Sequence, residues 1–367
     1  MLQLKENLSQ YWQCIQLNLF PWLAENFGPL SEKQQRLVSV LEMARVEEFI
    51  QSTHGYVGRP QDDRTAIARA FVAKAVYNLP TTRHLVDQLQ NDKVLRRICG
   101  WEKVSDISEE WTFSRAFAEF AEMHFAERVH EVLIQSYHSK QLVGHISRDS
   151  TAIEAREKAT KKEKSVEKPP KKRGRPKKGE QRPPPEPSPL EQQLGMSLDE
   201  MLSSLPKDCD IGTKINSKGY KESWKGYKLH LDTADGGIPI SAVLTSASVH
   251  DSQVALPLTH ITSQRVQNLY DVMDSAYDAA VIREHSESFG HVPLIDFNKR
   301  NGGETRSFMP HEAERYKERS VAERMNARIK DEFGARMIRV RGHDKIMLHL
   351  MFGVIALTVD QLIRLLT

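Results

Sequence analysis

Hydrophobic residues recur every three or four positions along three stretches of the first 140 residues, a spacing typical of amphipathic helices. The stretches are LSEKQQRLVSVLEMARVEEFI (30–50), DDRTAIARAFVAKAVYNL (62–79) and TFSRAFAEFAEMHFAERVHEVLIQSY (112–137). We therefore predict an all-α domain over residues 1–140.

A different pattern follows, in which short apolar runs end in small or turn-forming residues, as strands do. Strands are predicted at LVGHISRDST (142–151), NLYDVMDSA (268–276) and HVPLIDFN (291–298), and a hairpin at 225–247 that turns at Asp235-Gly236-Gly237. A strand-like MIRVRG (337–342) precedes a last apolar helix, Asp344 to Leu366. Strands that alternate with helices predict an α/β domain. Its first strand occupies 141–153, its remainder 196–345, and the terminal helix 346–367.

A polar segment at 154–195 interrupts this domain. It is rich in Lys, Pro and Glu, a composition that predicts a disordered linker. Arg156 to Arg182 contains thirteen Lys/Arg and four Asp/Glu, a net charge of +9 in a chain of net charge +3, so the remainder carries 3 − 9 = −6. Such a concentrated basic segment indicates a polyanionic partner.

Within this linker, Arg173-Gly174-Arg175-Pro176 resembles the core of an AT-hook. Gly and Pro keep the backbone thin and extended, so that two arginines can lie in a narrow A·T minor groove. The alternative is a plain phosphate-binding linker. Both interpretations predict that the segment binds DNA.

The composition adds limits on the cellular setting. The chain has 367 residues, enough for two or more domains, and three scattered cysteines, Cys14, Cys99 and Cys209. These cysteines form neither a metal motif nor a disulfide framework, which favours a reducing cytoplasm. The N-terminus lacks a signal-peptide pattern. The apolar run Ile346–Val359 is too short to span a bilayer, so we predict a buried helix and no membrane partner.

The stretch Tyr316 to Lys330 carries the candidate chemistry. On a helix, Tyr316, Arg319, Glu323 and Lys330 fall within an arc of roughly 60°, and the apolar side chains lie opposite. Such a face suits a phosphate backbone together with a metal ion. The alternative is an ordinary solvated face with an Arg319–Glu323 ion pair.

The spacing Tyr-x2-Arg-x3-Glu-x6-Lys resembles the signature of DDE transposases from bacterial insertion sequences. That resemblance makes Glu323 the third metal-binding carboxylate. RDSTAIEAREK and DSAYDA resemble the first-Asp and second-Asp regions of the same family, and they select Asp149 and Asp274. Without the resemblance, Asp149 reads as a helix cap and Asp274 as a turn residue. The segment 58–89 looks like the family's helical domain, which implies binding to terminal repeats, dimerisation, or both. The alternative is a helical scaffold without nucleic-acid contact.

The order of elements matches the ribonuclease-H-like fold, a mixed sheet with helices on both sides, in which the first and fourth strands are adjacent. By resemblance, Asp149, Asp274 and Glu323 meet as ligands of two Mg²⁺ or Mn²⁺ ions. Tyr316, Arg319 and Lys330 then hold DNA phosphates.

The resemblance implies a transposase that cuts the element's ends and joins their 3′-OH groups to target DNA, as a homodimer on double-stranded DNA in the bacterial cytoplasm. The alternatives are an endonuclease that does not join, or an inert DNA-binding protein.

Overall fold

The computed structural model describes residues 2–50, 62–138, 141–160, 187–215, 218–298 and 307–366. Its N-terminal part is helical, as the hydrophobic spacing predicts. Capping side chains fix where helices begin: Ser31 forms a capping box with Gln34, and Asp63 accepts from the N–H groups of Thr65 and Ala66. The helices are α1 (Leu2–Cys14), α2 (Phe20–Phe27), α3 (Glu32–Ala44), α4 (Arg64–Val76), α5 (Thr82–Asn91), α6 (Lys93–Cys99), α7 (Glu110–Glu122) and α8 (Phe125–Tyr137).

A mixed sheet flanked by helices forms the rest of the described chain. Its strands are β1 (Leu142–Glu154), β2 (Asp210–Ile215), β3 (Lys221–Ala234), β4 (Ile238–Ser246), β5 (Gln267–Met273) and β6 (Val292–Ile295). Its helices are α9 (Pro189–Gln193), α10 (Leu198–Ser204), α11 (Ala255–Arg265), α12 (Ala280–Ser288), α13 (Pro310–Tyr316), α14 (Arg319–Asp331) and α15 (His343–Arg364). The α/β fold class of a ribonuclease-H-like sheet with an α-helical N-terminal region is confirmed.

The sheet order is β2-β3-β1-β5-β6, and β4 also pairs with β3. Strand β1 is antiparallel to β3 and parallel to β5. The predicted hairpin is strands β3 and β4, which turn at Asp235–Gly237. The first strand and the strand that precedes Asp274 are therefore neighbours, as the expected topology requires.

Strand β1 is longer than the predicted strand because β3 pairs with it as far as the partners Glu154 and Gly226. Only glycine fits at the end of this pairing. Gly226 has φ 151°, and a Cβ built there would lie 2.1 Å from the carbonyl oxygen of Ile153. Two further differences concern the connections. Residues 189–193, inside the range 154–195 assigned to the linker, form α9, and residues 337–342 form no strand, because no neighbouring strand pairs with them.

Helix α15 joins the two parts of the molecule. It packs against α3, α4, α7 and α8 on one side and against β4 and α14 on the other. Phe352 of α15 stacks on Phe71 at a ring-centroid distance of 5.8 Å. By length and composition α15 is a candidate membrane span, but 94% of its most apolar window is buried inside the protein. This burial is what a core helix shows, and it agrees with the buried helix predicted from the sequence.

A buried ion pair sits in the sheet next to the candidate site. Arg148 donates twice to Asp232 at 2.7 Å, and the two side chains are 1% and 0% exposed. Arg148 also donates to the carbonyl of Ala255 on α11. The pair fixes β1, β3 and α11 to one another directly beside position 149.

Candidate active site

The register of two parallel strands sets Asp149 and Asp274 side by side. Arg148 of β1 is paired with Met273 of β5, so the next residue of each strand is an aspartate. Neighbouring strands lie about 4.8 Å apart, and residues at equal register in a parallel pair point to the same face. The two carboxylates predicted from the sequence are therefore close in space, although 125 positions apart in the chain (274 − 149).

The two aspartates differ in their backbone setting. Asp274 lies just beyond β5, and its carboxylate accepts from the N–H of Ala276 at 2.9 Å, which caps a short 3₁₀ turn. The strand predicted at 142–151 places Asp149 near its C-terminal end, and this prediction is wrong. Asp149 lies within β1, five residues before Glu154, because β3 continues to pair with β1 there. The neighbouring strand β5 ends beside Asp149. The carboxylate of Asp149 therefore lies next to the open end of β5.

Helix α14 brings Glu323 toward this edge. The predicted continuous helix from Tyr316 to Lys330 is in fact two helices, because Lys317 and Glu318 form a turn between α13 and α14. Tyr316 thus ends one helix, and Arg319 begins the next. The apolar side of α14 is buried as predicted, with Ile329 fully covered.

Two hydrogen bonds attach this helical pair to β1. The hydroxyl of Ser147 donates to the carbonyl of Glu318 at 2.9 Å. The side-chain amide of Asn326 donates to Oδ2 of Asp149 at 3.0 Å. Because Asn326 is three residues after Glu323, it lies on the same side of α14. The second bond therefore places the Glu323 side of the helix next to Asp149.

A surface cavity of ≈ 320 Å³ opens between these elements. Its lining includes Asp149, Glu323, Asn326, Lys330 and Arg336. The Glu323 side chain is 52% exposed and accepts a hydrogen bond from Arg319 at 2.5 Å. Within the described ranges, no three Asp, Glu, His or Cys side chains are close enough together to hold a metal ion. The structure thus brings Asp149 near both Asp274 and Glu323, but it holds Glu323 on Arg319.

Burial perturbs the protonation of both aspartates. It raises the pKa of Asp149 to about 6; the charge of Asp274 adds to the rise, and hydrogen bonds from the Ser150 N–H and from Asn326 oppose it. Burial also raises the pKa of Asp274, to which Asp251 adds. Buried carboxylates with raised pKa values are common at sites where a cation binds or a proton moves.

The cationic and aromatic members of the predicted face surround these carboxylates. Burial alone would lower the pKa of Arg319. Among the residues that raise this pKa, Glu323 has the largest effect, followed by Tyr316, Asp149 and Asp274. Arg319 thus contacts Glu323 directly, and the charges of Asp149 and Asp274 act on it in the same direction. The ring of Tyr316 packs against that of Phe308 at a centroid distance of 4.7 Å and a tilt of 31°, and burial raises the pKa of the Tyr316 hydroxyl to about 12.

The donor set fits a hard divalent cation. Its members are carboxylate oxygens, and in the described residues neither Asp149 nor Asp274 has an ion-pair partner. Asn326 is 5% exposed, and its Oδ1 accepts no hydrogen bond from the described chain. Oxygen donors of this kind, left without a basic partner, are the ligands that Mg²⁺ and Mn²⁺ prefer.

Two residues near the site do not belong to the predicted set. Asn326 was missed, although its position one turn after Glu323 was a readable signal. Asp251 pairs with Lys228 at 2.9 Å, and the turn that begins there is capped by His250. Asp251 thus forms an ion pair with a lysine, whereas Asp149 and Asp274 have no ion-pair partner among the described residues. The AT-hook-like residues Arg173, Gly174, Arg175 and Pro176 lie outside the described residues.

Comparison with known families gives two matches. Residues 191–359 match the family model described as "Transposase DDE domain", and residues 24–119 match "Transposase domain (DUF772)". The first match includes Asp274 and Glu323 and begins after Asp149. No curated protein and no solved structure matches the chain significantly.

Proposed function

Because the chain belongs to the DDE transposases, we propose that Asp149, Asp274 and Glu323 hold two Mg²⁺ or Mn²⁺ ions for cutting and joining DNA strands. The substrates are the terminal repeats of an insertion sequence and a target duplex. One observation carries this assignment: Asp149 and Asp274 follow the paired residues Arg148 and Met273 on adjacent parallel strands.

The supporting observation is the contact between Asn326 and Asp149, which keeps α14 beside the strand edge. From there Glu323 reaches the aspartates once it leaves Arg319. Glu323 is half exposed, so this exchange of partners requires a change of side-chain rotamer and little else. Bound divalent ions supply the activation of the attacking hydroxyl and the stabilisation of the leaving oxygen.

The remaining members of the face bind the DNA backbone. Arg319, released from Glu323, presents a guanidinium whose planar donors match a phosphate. Lys330 lines the cavity at its other end and binds a neighbouring phosphate as a point charge. Tyr316, whose ring packs against Phe308, offers its hydroxyl to the same strand.

The partners we propose follow from the rest of the chain. The helical domain binds the terminal repeats and forms the homodimer. The linker segment Arg173-Gly174-Arg175-Pro176 contacts DNA. We place the reaction in the bacterial cytoplasm, since Cys14, Cys99 and Cys209 are all free thiols, as in a reducing compartment.

Strand transfer from a linear duplex with a free 3′-OH end tests the reaction, with Mg²⁺ present. We expect joined products from the wild type, and neither cutting nor joining from Glu323→Gln, which still binds DNA. Glu332→Gln is the matched control, because Glu332, the residue directly after α14, forms a similar i,i+4 ion pair with Arg328 and does not line the cavity. Nicks without joining would make the protein a ribonuclease-H-like endonuclease. Full activity of Glu323→Gln would remove Glu323 from the site.

A second measurement concerns the linker. Replacing Arg173 and Arg175 with Ala is expected to weaken binding to A·T-rich duplexes more than to G·C-rich ones, because the narrow minor groove attracts inserted arginines. Equal loss on both duplexes would leave a phosphate-binding linker without groove recognition.

A further inference from the structure

The irregular segment between α14 and α15 exposes three arginines beside the cavity. Arg336, Arg339 and Arg341 point into solvent, whereas Ile338 between them is 4% exposed and belongs to the core. Ile338 therefore anchors a segment whose charged side chains remain outside. The surface made by the three arginines is called the arginine rim below.

Both ends of the arginine rim are held in place. Arg336 lines the same ≈ 320 Å³ cavity as Asp149, Glu323 and Lys330. Beyond the other end, the N–H of Gly342 donates to a carboxylate oxygen of Glu157 at 3.2 Å. The rim thus begins at the carboxylates and leads away from them along the surface of the protein.

The charges of the rim are largely available to a partner. The Nε of Arg336 donates to Asp331 at 3.0 Å, but the two side chains are 67% and 55% exposed, so solvent screens this pair. Arg339 and Arg341 have no ion-pair partner among the residues that the structure describes. Nearby, burial lowers the pKa of Lys330, and the positive charges of Lys214 and Arg336 lower it further, whereas Glu154 and Asp331 oppose this.

The dimensions suit a nucleic-acid backbone. Seven residues of α14 separate Glu323 from Lys330, a rise of about 10 Å, or about three base-pair steps of B-DNA. The five residue-to-residue steps from Arg336 to Arg341 extend for at most about 17 Å, or about five base-pair steps.

We propose that the arginine rim binds the phosphates of the duplex flanking the bond cut at the carboxylates. This inference rests on the proposed function, because the position of the rim beside Asp149 and Glu323 is what selects flanking DNA as its occupant. Arginine binds phosphate through charge and paired N–H groups, so the contact is independent of base sequence.

The test is the salt dependence of binding to a fluorescein-labelled duplex of arbitrary sequence, without divalent metal. Each lost phosphate contact reduces the slope of log K against log[salt] by about 0.9, so replacing all three arginines with Ala should reduce it by about 2 to 3. Replacing them with Lys keeps the charge and should keep the slope. The same measurements in an Arg173→Ala/Arg175→Ala background remove binding that the linker contributes.

Asp331→Asn separates DNA binding from a structural ion pair. It frees Arg336 and removes a negative charge beside the rim, so binding should become tighter, opposite to the effect of Arg336→Ala. If both variants weaken binding alike, or if the triple Ala variant keeps the wild-type slope in both backgrounds, the inference is overturned. Melting temperatures close to that of the wild type establish that the variants are folded.

The same preparations keep the two proposals apart. If the wild type joins strands but the rim variants bind DNA with an unchanged salt slope, the proposal that the arginine rim binds DNA is refuted and the proposed function is unaffected. If the wild type neither cuts nor joins DNA but the salt slope falls as expected in the rim variants, the proposed reaction is refuted and the proposal that the arginine rim binds DNA is supported.

Discussion

Replacing Asp149 with Asn should stabilise the protein at neutral and alkaline pH when divalent metal is absent. The folded state raises the pKa of Asp149 from 3.8 to about 6. A carboxyl group whose pKa is higher in the folded than in the unfolded state contributes its full stabilisation of the folded state only at pH values below its unfolded-state pKa. This stability is lost as pH rises through the folded value, here between 3.8 and about 6. An amide at position 149 does not ionise and escapes the loss.

The size of the effect follows from the shift. One pKa unit corresponds to about 1.36 kcal/mol, so the full shift is worth about 3 kcal/mol, and partial solvent access to Asp149 reduces this to about 1–3 kcal/mol. For a chain of this size we expect a rise in Tm of about 2–6 °C. The measurement is thermal unfolding of both proteins in a chelating buffer at about pH 4 and about pH 8, where the difference should appear only at the higher pH.

Adding Mg²⁺ should make the wild type more stable than Asp149→Asn. A bound ion stabilises the wild type by about 2.7 kcal/mol at a hundredfold excess over Kd, and Asp149→Asn should lose most of this gain. Asp251→Asn is the matched control. Burial alone would raise the pKa of Asp251, but His230 and Lys228 bring it below the ordinary value, so this variant should be destabilised at about pH 8. Equal Tm values for wild type and Asp149→Asn in chelator, with equal gains from Mg²⁺, would refute the reasoning.

Three further substitutions test the surroundings of the site. Asn326→Ala removes a hydrogen bond that lowers the pKa of Asp149, so the acid limb of the cleavage–pH profile should move to higher pH; an unchanged profile would show that the bond has no influence there. Asp232→Asn leaves Arg148 buried without a counter-charge and should cost about 3–5 kcal/mol of unfolding free energy, measured with urea; a loss under about 1 kcal/mol would contradict this. Gly226→Ala places a Cβ 2.1 Å from a main-chain oxygen of β1, and soluble folded protein of wild-type Tm would contradict the expected loss of stability.

Several features around the candidate site could be read from the sequence because they are local, whereas the choice of Asp149, Asp274 and Glu323 came from the family resemblance. The helical spacing around Glu323 and the apolar runs before Asp149 and Asp274 reflect the periods of helix and strand, which neighbouring residues determine. The charge of the linker is likewise a property of composition. The α/β class followed from the order of these local patterns.

What the tertiary structure decided depends on pairing between distant segments. Strand β1 passes beyond Asp149 because β3 pairs with it, and residues 337–342 form no strand because no strand in the described part of the chain pairs with them. Asp149 and Asp274 come together through the register of β1 with β5, and hydrogen bonding between strands fixes that register, which the composition of either strand does not. The hydrogen bond from Asn326 to Asp149 likewise forms only when α14 packs on β1, so no local sequence pattern predicts it.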